Sequence, residues 1–418
     1  MSKVAINGGK PLSGTVTISG AKNAALPIMA AMLMLPGENT ICNVPNLADV
    51  VTMVRMLRSL GLGAEYIEPH TVKTWRKTNL RHVAPYDLVT KMRASFFVAG
   101  PLIAVTGSAK IPLPGGCAIG TRPIDLHLKG FQALGAKYSI QHGFVEIKAE
   151  KLVGNKVYLD YPSVGATENI IMAACFAEGH TTIENAAREP EIEDLINFLN
   201  QAGGKISGGG SNIIEVDGVS SLKSITNYPI IPDRIEAGTM ILAGAITKGN
   251  VILERVIPRH FEGLLGKLKE AGIQLEIGAD TVSLTSNGGF NSVDIETLPY
   301  PGFPTDMQAQ IMALLALAKG TSVITETVFE NRFSHAQELK RMGANIRISE
   351  RNAIIHGVNK LSGAPVKITD LRAGAALILA GLAAEGETTV YGMNHIYRGY
   401  EHLVDKLNSL GADIRDLG

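Results

Sequence analysis

The chain is short of cysteine, aromatic residues and net charge, and each shortage excludes a class of protein. Its 418 residues hold three cysteines, Cys42, Cys117 and Cys175, with no CxxC pair. An odd, unpaired set builds neither a disulfide framework nor a zinc site and fits the reducing cytoplasm. Aromatics make up 5% with one tryptophan, so no base-stacking platform is legible. Lys plus Arg and Asp plus Glu are each 39, a formal net charge of zero, which argues against gripping nucleic acid by bulk charge. The apolar run 24–35 carries Pro27 and stops at Pro36-Gly37. It is too short to span a bilayer and too far from the start for a signal segment, so no membrane association is expected. The ten histidines show no HxH or HExxH spacing. Neither GxGxxG nor GxxxxGK[ST] occurs, and Gly208-Gly209-Gly210 reads as a turn. No metal and no cofactor is expected.

What is present is glycine, 45 of it, spaced with a period. Six amphipathic stretches end on Gly61, Gly135, Gly203, Gly272, Gly343 and Gly411, which are 74, 68, 69, 71 and 68 residues apart. Glycine just past an amphipathic run is a helix C-cap signal. A second glycine recurs in step, at 37, 107, 179, 249, 320 and 386, each after a strongly apolar stretch. These stretches, 24–35, 94–105, 169–177, 237–246, 307–318 and 373–384, are apolar on nearly all sides and are predicted to be buried helices. Short β-rich runs follow most of them, such as Thr181-Thr182-Ile183-Glu184. Six repeats of about 70 residues, alternating strands with helices, predict sheets packed on helices. The six repeats could form one closed ring or two groups of three; a single core rarely grows past about 300 residues, which favours two groups. The chain would cross between them near 227–232.

The repeat also sorts charge. Fourteen or fifteen residues before each second glycine stand Lys22, Arg93, Gly165, Arg234, Asp306 and Arg372, each at the start of a buried helix. Helix starts carry unpaired N–H groups and partial positive charge, so basic residues there are unfavourable unless something negative joins them. A second set, Arg122, Arg188, Arg259, Arg332 and Arg398, precedes the amphipathic helices. Arginine suits bidentate contacts to phosphate and carboxylate. Arg188, beside Glu189 and Glu191, reads instead as an ion-pair residue. The pattern predicts an anion-binding pocket within a neutral chain.

Two residues stand out chemically. Cys42 and Cys175 read as core thiols, but Cys117 lies in Pro114-Gly115-Gly116-Cys117, five residues before Arg122. A thiol near cations has a lowered pKa and is reactive, and its loop reads as a lid; the alternative is a thiol tucked under the loop. Asp306 could cap its helix; if Thr305 does that, Asp306 is left free as a general base among cations.

At these positions the chain resembles the UDP-N-acetylglucosamine 1-carboxyvinyltransferase family. The resemblance rests on Ser19-Gly20-Ala21-Lys22-Asn23-Ala24, the Gly-Gly-Cys loop, Arg122-Pro123-Ile124-Asp125-Leu126-His127, Ser163-Val164-Gly165-Ala166-Thr167, Glu184-Asn185-Ala186-Ala187-Arg188, Phe303-Pro304-Thr305-Asp306-Met307-Gln308 and Phe329-Glu330-Asn331-Arg332-Phe333, and it covers essentially the whole chain. It implies an α/β fold of two inside-out α/β barrel domains, each built from three repeats, closing over a site between them: residues 22–229 form one domain, 1–21 and 230–418 the other. It implies transfer of the enolpyruvyl group of phosphoenolpyruvate to the 3-hydroxyl of UDP-N-acetylglucosamine, by addition and elimination, opening peptidoglycan synthesis. By resemblance Lys22 and Asn23 bind phosphoenolpyruvate, with Arg122 and Arg398 on its phosphate or carboxylate. Cys117 is the proton donor to the methylene, and Asp306 takes the hydroxyl proton. Arg93, Arg122, Pro123, Ile124, Asp125, Leu126, Ser163, Val164, Gly165, Asp306 and Val328 line the nucleotide-sugar site, and Arg332, Asp370 and Arg372 join the substrate contacts. A monomer is the expected state. The resemblance departs at Tyr161-Pro162, where some relatives carry lysine. The alternatives are the sister family acting on shikimate 3-phosphate, which lacks the Gly-Gly-Cys loop, and a non-catalytic nucleotide-sugar sensor.

Overall fold

The computed structural model describes residues 2–76, 79–113, 124–286 and 288–418, and at Arg93 the backbone alone. Cys117, Arg122 and Pro123 lie outside the described residues. Contacts divide the chain into two units. One joins Met1–Ser19 to Pro232–Gly418; the other holds the described residues between Gly20 and Ile231.

The apolar stretches become six central helices: α1 (Lys22–Ala31), α2 (Ala99–Thr106), α3 (Val164–Ala174), α4 (Arg234–Ile246), α5 (Gln308–Leu315) and α6 (Leu371–Ala383). Three of the predicted helices change pitch. Met32–Met34 closes the first as a 3-10 turn, while Arg93–Val98 and Thr305–Met307 open the second and fifth. All three are tighter turns at helix ends, where such geometry is common.

Each unit puts its three central helices inside and its sheets outside. In the first unit α4, α5 and α6 pack on one another. Around them lie three four-stranded sheets. In the second unit α1, α2 and α3 form the interior, with two four-stranded sheets and one of three strands. Apolar side chains on every side of the central helices make this arrangement favourable: they need cover all round, and sheets supply it. The amphipathic helices Ala48–Ser59, Asp125–Ala133, Pro190–Gln201, Glu262–Glu270, His335–Arg341 and Leu403–Ser409 add the outer contacts.

Distant strands complete each unit. Lys3–Asn7 runs antiparallel between Glu387–Tyr391 and Ile414–Asp416. Ser13–Thr17 pairs in parallel with Asn250–Glu254. In the other unit Tyr228–Pro229 pairs in parallel with Glu38–Cys42.

All six C-cap glycines sit in the left-handed region, with φ from +86° to +100°. There the last helical carbonyls are satisfied and a side chain would be strained. The second set follows the rule five times in six. At the fourth repeat Lys248 takes the positive φ instead, and Gly249 is needed for a different reason: a Cβ there would stand 2.0 Å from the Leu12 carbonyl oxygen. Gly208-Gly209-Gly210 forms a turn, as expected.

Candidate active site

In the unit built on α4, α5 and α6, Asp306 is the centre. It lies in the Thr305–Met307 turn that opens α5. Arg332 donates to its Oδ1 at 2.7 Å and Arg372 to its Oδ2 at 2.9 Å. Both arginine side chains are almost wholly buried, whereas the Asp306 side chain keeps 28% of its surface exposed. Burial pushes the Asp306 carboxyl up, but Arg372 and Arg332 overrule it and hold the group well below the usual carboxylate range. The expectation of a free Asp306 is therefore corrected: it is ionised, and both oxygens are engaged. Thr305 does not cap the helix either. Its hydroxyl donates to Glu326 Oε2 and accepts from Arg332 Nη1, each at 2.9 Å.

A buried shell holds this arrangement. Glu326 accepts from the Thr297 and Thr305 hydroxyls and from the backbone N–H groups of Val328 and Phe329. That places Val328 beside the Thr305 turn. Gln310, in the first turn of α5, donates to the Asp306 carbonyl at 2.9 Å and to the Tyr400 hydroxyl at 3.1 Å. The Arg372 guanidinium lies over the Tyr400 ring, 5.5 Å from its centre, and Arg332 lies 5.0 Å from the centre of the Phe329 ring. Arg332 Nε is a buried donor without a partner among the described residues. Asp370 is the N-cap of α6: its Oδ1 accepts from the backbone N–H groups of Arg372 and Ala373. Arg398 ends the turn Met393–Arg398, half-buried and two residues before Tyr400. Arg234 opens α4 with its guanidinium 5.6 Å from the Tyr300 ring centre.

In the unit built on α1, α2 and α3, Lys22 is the first residue of α1 and Asn23 the second. The charge that makes a lysine acceptable at a helix start comes from the neighbouring amphipathic helix: Lys22 Nζ pairs with Asp49 Oδ2 at 3.3 Å, and both side chains are largely buried. Ser163 caps α3 by accepting from the Ala166 N–H, and Val164 and Gly165 follow in its first turn. Gly165 breaks the basic pattern for a steric reason. A Cβ there would meet His127 Cε1 at 3.2 Å and Phe97 Cε1 at 3.4 Å. Asn169 ties this region together. Its Oδ1 accepts from the Gly100 N–H, and its Nδ2 donates to the Phe96 carbonyl and to His127 Nδ1. The ring proton of His127 therefore sits on Nε2. One buried amide thus links α3, the turn that Arg93 opens, and the helix that begins at Asp125 after Ile124, with Leu126 in its first turn.

The other thiols are structural. Burial pushes the Cys175 thiol up to about 12. Cys42 is half-buried, its sulfur 3.7 Å from the Asn227 carbonyl. Arg188 Nε donates to the Gly210 carbonyl at 3.0 Å. Among the described residues no group of three or more His, Cys, Asp or Glu is placed to hold a metal ion. No helix among them is long and apolar enough to cross a membrane.

The structure thus unites Asp306, Arg332, Arg372 and Val328 in one unit, and sets Lys22, Asn23, Ser163, Val164 and Gly165 at helix starts in the other. Asp49, Glu326, Gln310, Tyr400 and Asn169 were missed by sequence reasoning. Asn169 and Gln310 did leave a signal, since each interrupts an apolar helix with an amide.

Comparison with known proteins adds three findings. Residues 6–407 match the family described as EPSP synthase (3-phosphoshikimate 1-carboxyvinyltransferase). UDP-N-acetylglucosamine 1-carboxyvinyltransferase 1 of Caldanaerobacter subterraneus subsp. tengcongensis is 55% identical over 414 residues, and UDP-N-acetylglucosamine 1-carboxyvinyltransferase 2 of Carboxydothermus hydrogenoformans 56% over 416, each match covering 99% of both chains. Among solved structures, the enolpyruvyl transferase NikO from Streptomyces tendae superposes with a TM-score of 0.89 at 26% identity, covering 99% of this chain and 98% of that one. An EPSP synthase from Acinetobacter baumannii gives 0.77 at 19% identity over the whole of both chains, a likeness of fold.

Proposed function

The chain belongs to the EPSP synthase family of carboxyvinyltransferases, and from that premise we propose that it transfers the enolpyruvyl group of phosphoenolpyruvate to the 3-hydroxyl of UDP-N-acetylglucosamine, releasing phosphate. The observation that carries the choice of acceptor is identity above half, over nearly the full length, to relatives named for that acceptor. The product is the committed precursor of peptidoglycan.

In the addition step the 3-hydroxyl oxygen bonds to C2 of phosphoenolpyruvate. Asp306 takes the hydroxyl proton while Cys117 gives a proton to C3. Elimination then returns a proton from C3 and expels phosphate, so atoms balance. Asp306 is ionised, as an acceptor must be, and its two arginines make it a weak base. A weak base serves here because the hydroxyl grows acidic as its oxygen attacks, so transfer accompanies bond formation. Both substrates are anions, which suits Lys22, Asn23, Arg122 and Arg398 as the phosphoenolpyruvate set. Arg332 joins the substrate contacts by resemblance, beside the Asp306 carboxylate that it holds. Arg93, Pro123, Ile124, Asp125, Leu126, Ser163, Val164, Gly165 and Val328 line the nucleotide-sugar site in this reading, and Asp370 and Arg372 complete the Asp306 side.

Cys42 and Cys175 are free thiols, which supports the reducing cytoplasm as the compartment of the chain. Mass spectrometry of the nucleotide product tests the reading. Each phosphate released should match one enolpyruvyl group gained by UDP-N-acetylglucosamine, and phosphate release with an unchanged nucleotide sugar would refute it.

A further inference from the structure

Three cationic residues, Lys22, Arg234 and Arg398, come from three distant stretches of chain, yet each lies within three residues of one buried cluster. Ser19 is three residues before Lys22, Glu236 is two after Arg234, and Glu401 is three after Arg398. Lys406, on the helix Leu403–Ser409, stands at the centre. Its ammonium donates to Ser19 Oγ at 2.7 Å and pairs with Glu236 Oε1. The Ser19 hydroxyl in turn donates to Glu401 Oε2 at 2.6 Å. Ser19 therefore uses both its donor and its acceptor capacity, which fixes its rotamer. The backbone closes the loop: Asp233 N–H donates to the Ser19 carbonyl at 2.8 Å, and the Asp233 side chain caps α4, the helix that carries Glu236. Glu236 and Glu401 are 3% and 5% exposed, and the Lys406 side chain 17%. Ser19 is also the last residue of its unit before the chain passes to the other.

We propose that Lys406 is a positioning residue for phosphoenolpyruvate: held by Ser19 and Glu236, and through Ser19 by Glu401, its ammonium fixes the segments of its own unit that carry Arg234 and Arg398, without itself touching substrate. This rests on the function proposed above. A buried ammonium makes a better clamp than an apolar contact because its donors are directional and because losing it strands the buried Glu236 carboxylate. Binding groups displaced by about 1 Å can cost on the order of 10²-fold.

The clamp is also sensitive to pH. Burial raises the Glu236 carboxyl to about 7, against the pull of Lys406 and with help from Asp233 and Glu401. Those three are the charged groups that face it. As pH falls from 8 to 6, Glu236 takes a proton and its ion pair with Lys406 is lost.

The test uses the full chain, with phosphate release measured against phosphoenolpyruvate at saturating UDP-N-acetylglucosamine, and phosphoenolpyruvate binding measured by calorimetry. Lys406→Met should raise both KM and Kd for phosphoenolpyruvate about tenfold or more, with kcat changed less. Ser19→Ala should fall between it and the wild type, and Lys406→Arg, which keeps the charge, should lie near the wild type. The KM of Glu236→Gln relative to wild type should fall toward one as pH drops from 8 to 6. Ser19→Ala and Glu236→Gln keep the test decisive if Lys406→Met does not fold. Wild-type KM and Kd in folded Ser19→Ala and Lys406→Met, or a Glu236→Gln ratio that does not change with pH, would overturn the proposal. A wild type that binds phosphoenolpyruvate but releases no phosphate would instead count against the proposed function.

Discussion

Lys22 and Asp306 occupy the same place in the repeat, at the start of a buried helix, and carry opposite charges. Each is stabilised by borrowing charge from elsewhere in its own unit. Lys22 takes Asp49 from the next amphipathic helix. Asp306 takes Arg332 from the segment before one amphipathic helix and Arg372 from the start of the neighbouring buried helix. The difference lies in what remains available. Lys22 keeps its positive charge at the start of a helix whose N–H groups also favour anions, which suits it to a negative ligand. Asp306 has two cations against one carboxylate, so its position and basicity are set by its neighbours. In the proposed mechanism, equivalent places in the repeat thus serve as a binding group in one repeat and as a tuned proton acceptor in another.

The largest effect should come from removing the acceptor. Asp306→Asn should lower kcat by about 10²–10⁴-fold, as expected for loss of a general base, while calorimetry still detects phosphoenolpyruvate binding. Near-normal turnover would remove Asp306 from the chemistry. On the other side, Lys22→Met should weaken phosphoenolpyruvate binding by about 1.5–3 kcal/mol, the worth of a charge-assisted hydrogen bond. If Kd is unmoved, the symmetry drawn between the two helix starts fails.

Arg372→Met sharpens the contrast. Deleting one cation should raise the Asp306 pKa back toward the usual carboxylate range, so the acid limb of the kcat profile moves to higher pH. The same sign governs stability. A carboxylate held low in the fold stabilises it above the unfolded value of about 3.9, and that contribution is lost as pH falls through the folded value. Acid unfolding of Arg372→Met should therefore begin at higher pH than that of the wild type. The smallest effect concerns Asp370. As the cap of α6, its change to Ala should cost about 0.5–2 kcal/mol in urea melts, and Asp370→Asn, which still caps, much less.

The architecture was legible because the fold reuses one local device. A left-handed C-cap needs glycine, so six such caps printed a period into the sequence, and the apolar helices between them marked the core. The exception at Gly249 shows the limit of that logic: a close approach by Leu12 demands glycine there as firmly as a turn would, and sequence does not separate the two. Register also identified Lys22, Asp306 and Arg372 as one set. It could not show that Asp306 would be gripped by two members of the basic sets, nor that Asp49 would answer Lys22, because pairing between elements depends on packing that local periodicity does not encode. Asn169 and Gln310 were visible as amides in apolar helices, but their partners were not. The role of Cys117 came from resemblance alone.

The central claim is that this scaffold moves an enolpyruvyl group onto a nucleotide sugar. Phosphate release from phosphoenolpyruvate, measured in parallel with UDP-N-acetylglucosamine and with shikimate 3-phosphate, tests it most directly. Release should depend on the nucleotide sugar and stay at background with shikimate 3-phosphate; the reverse dependence would contradict the account.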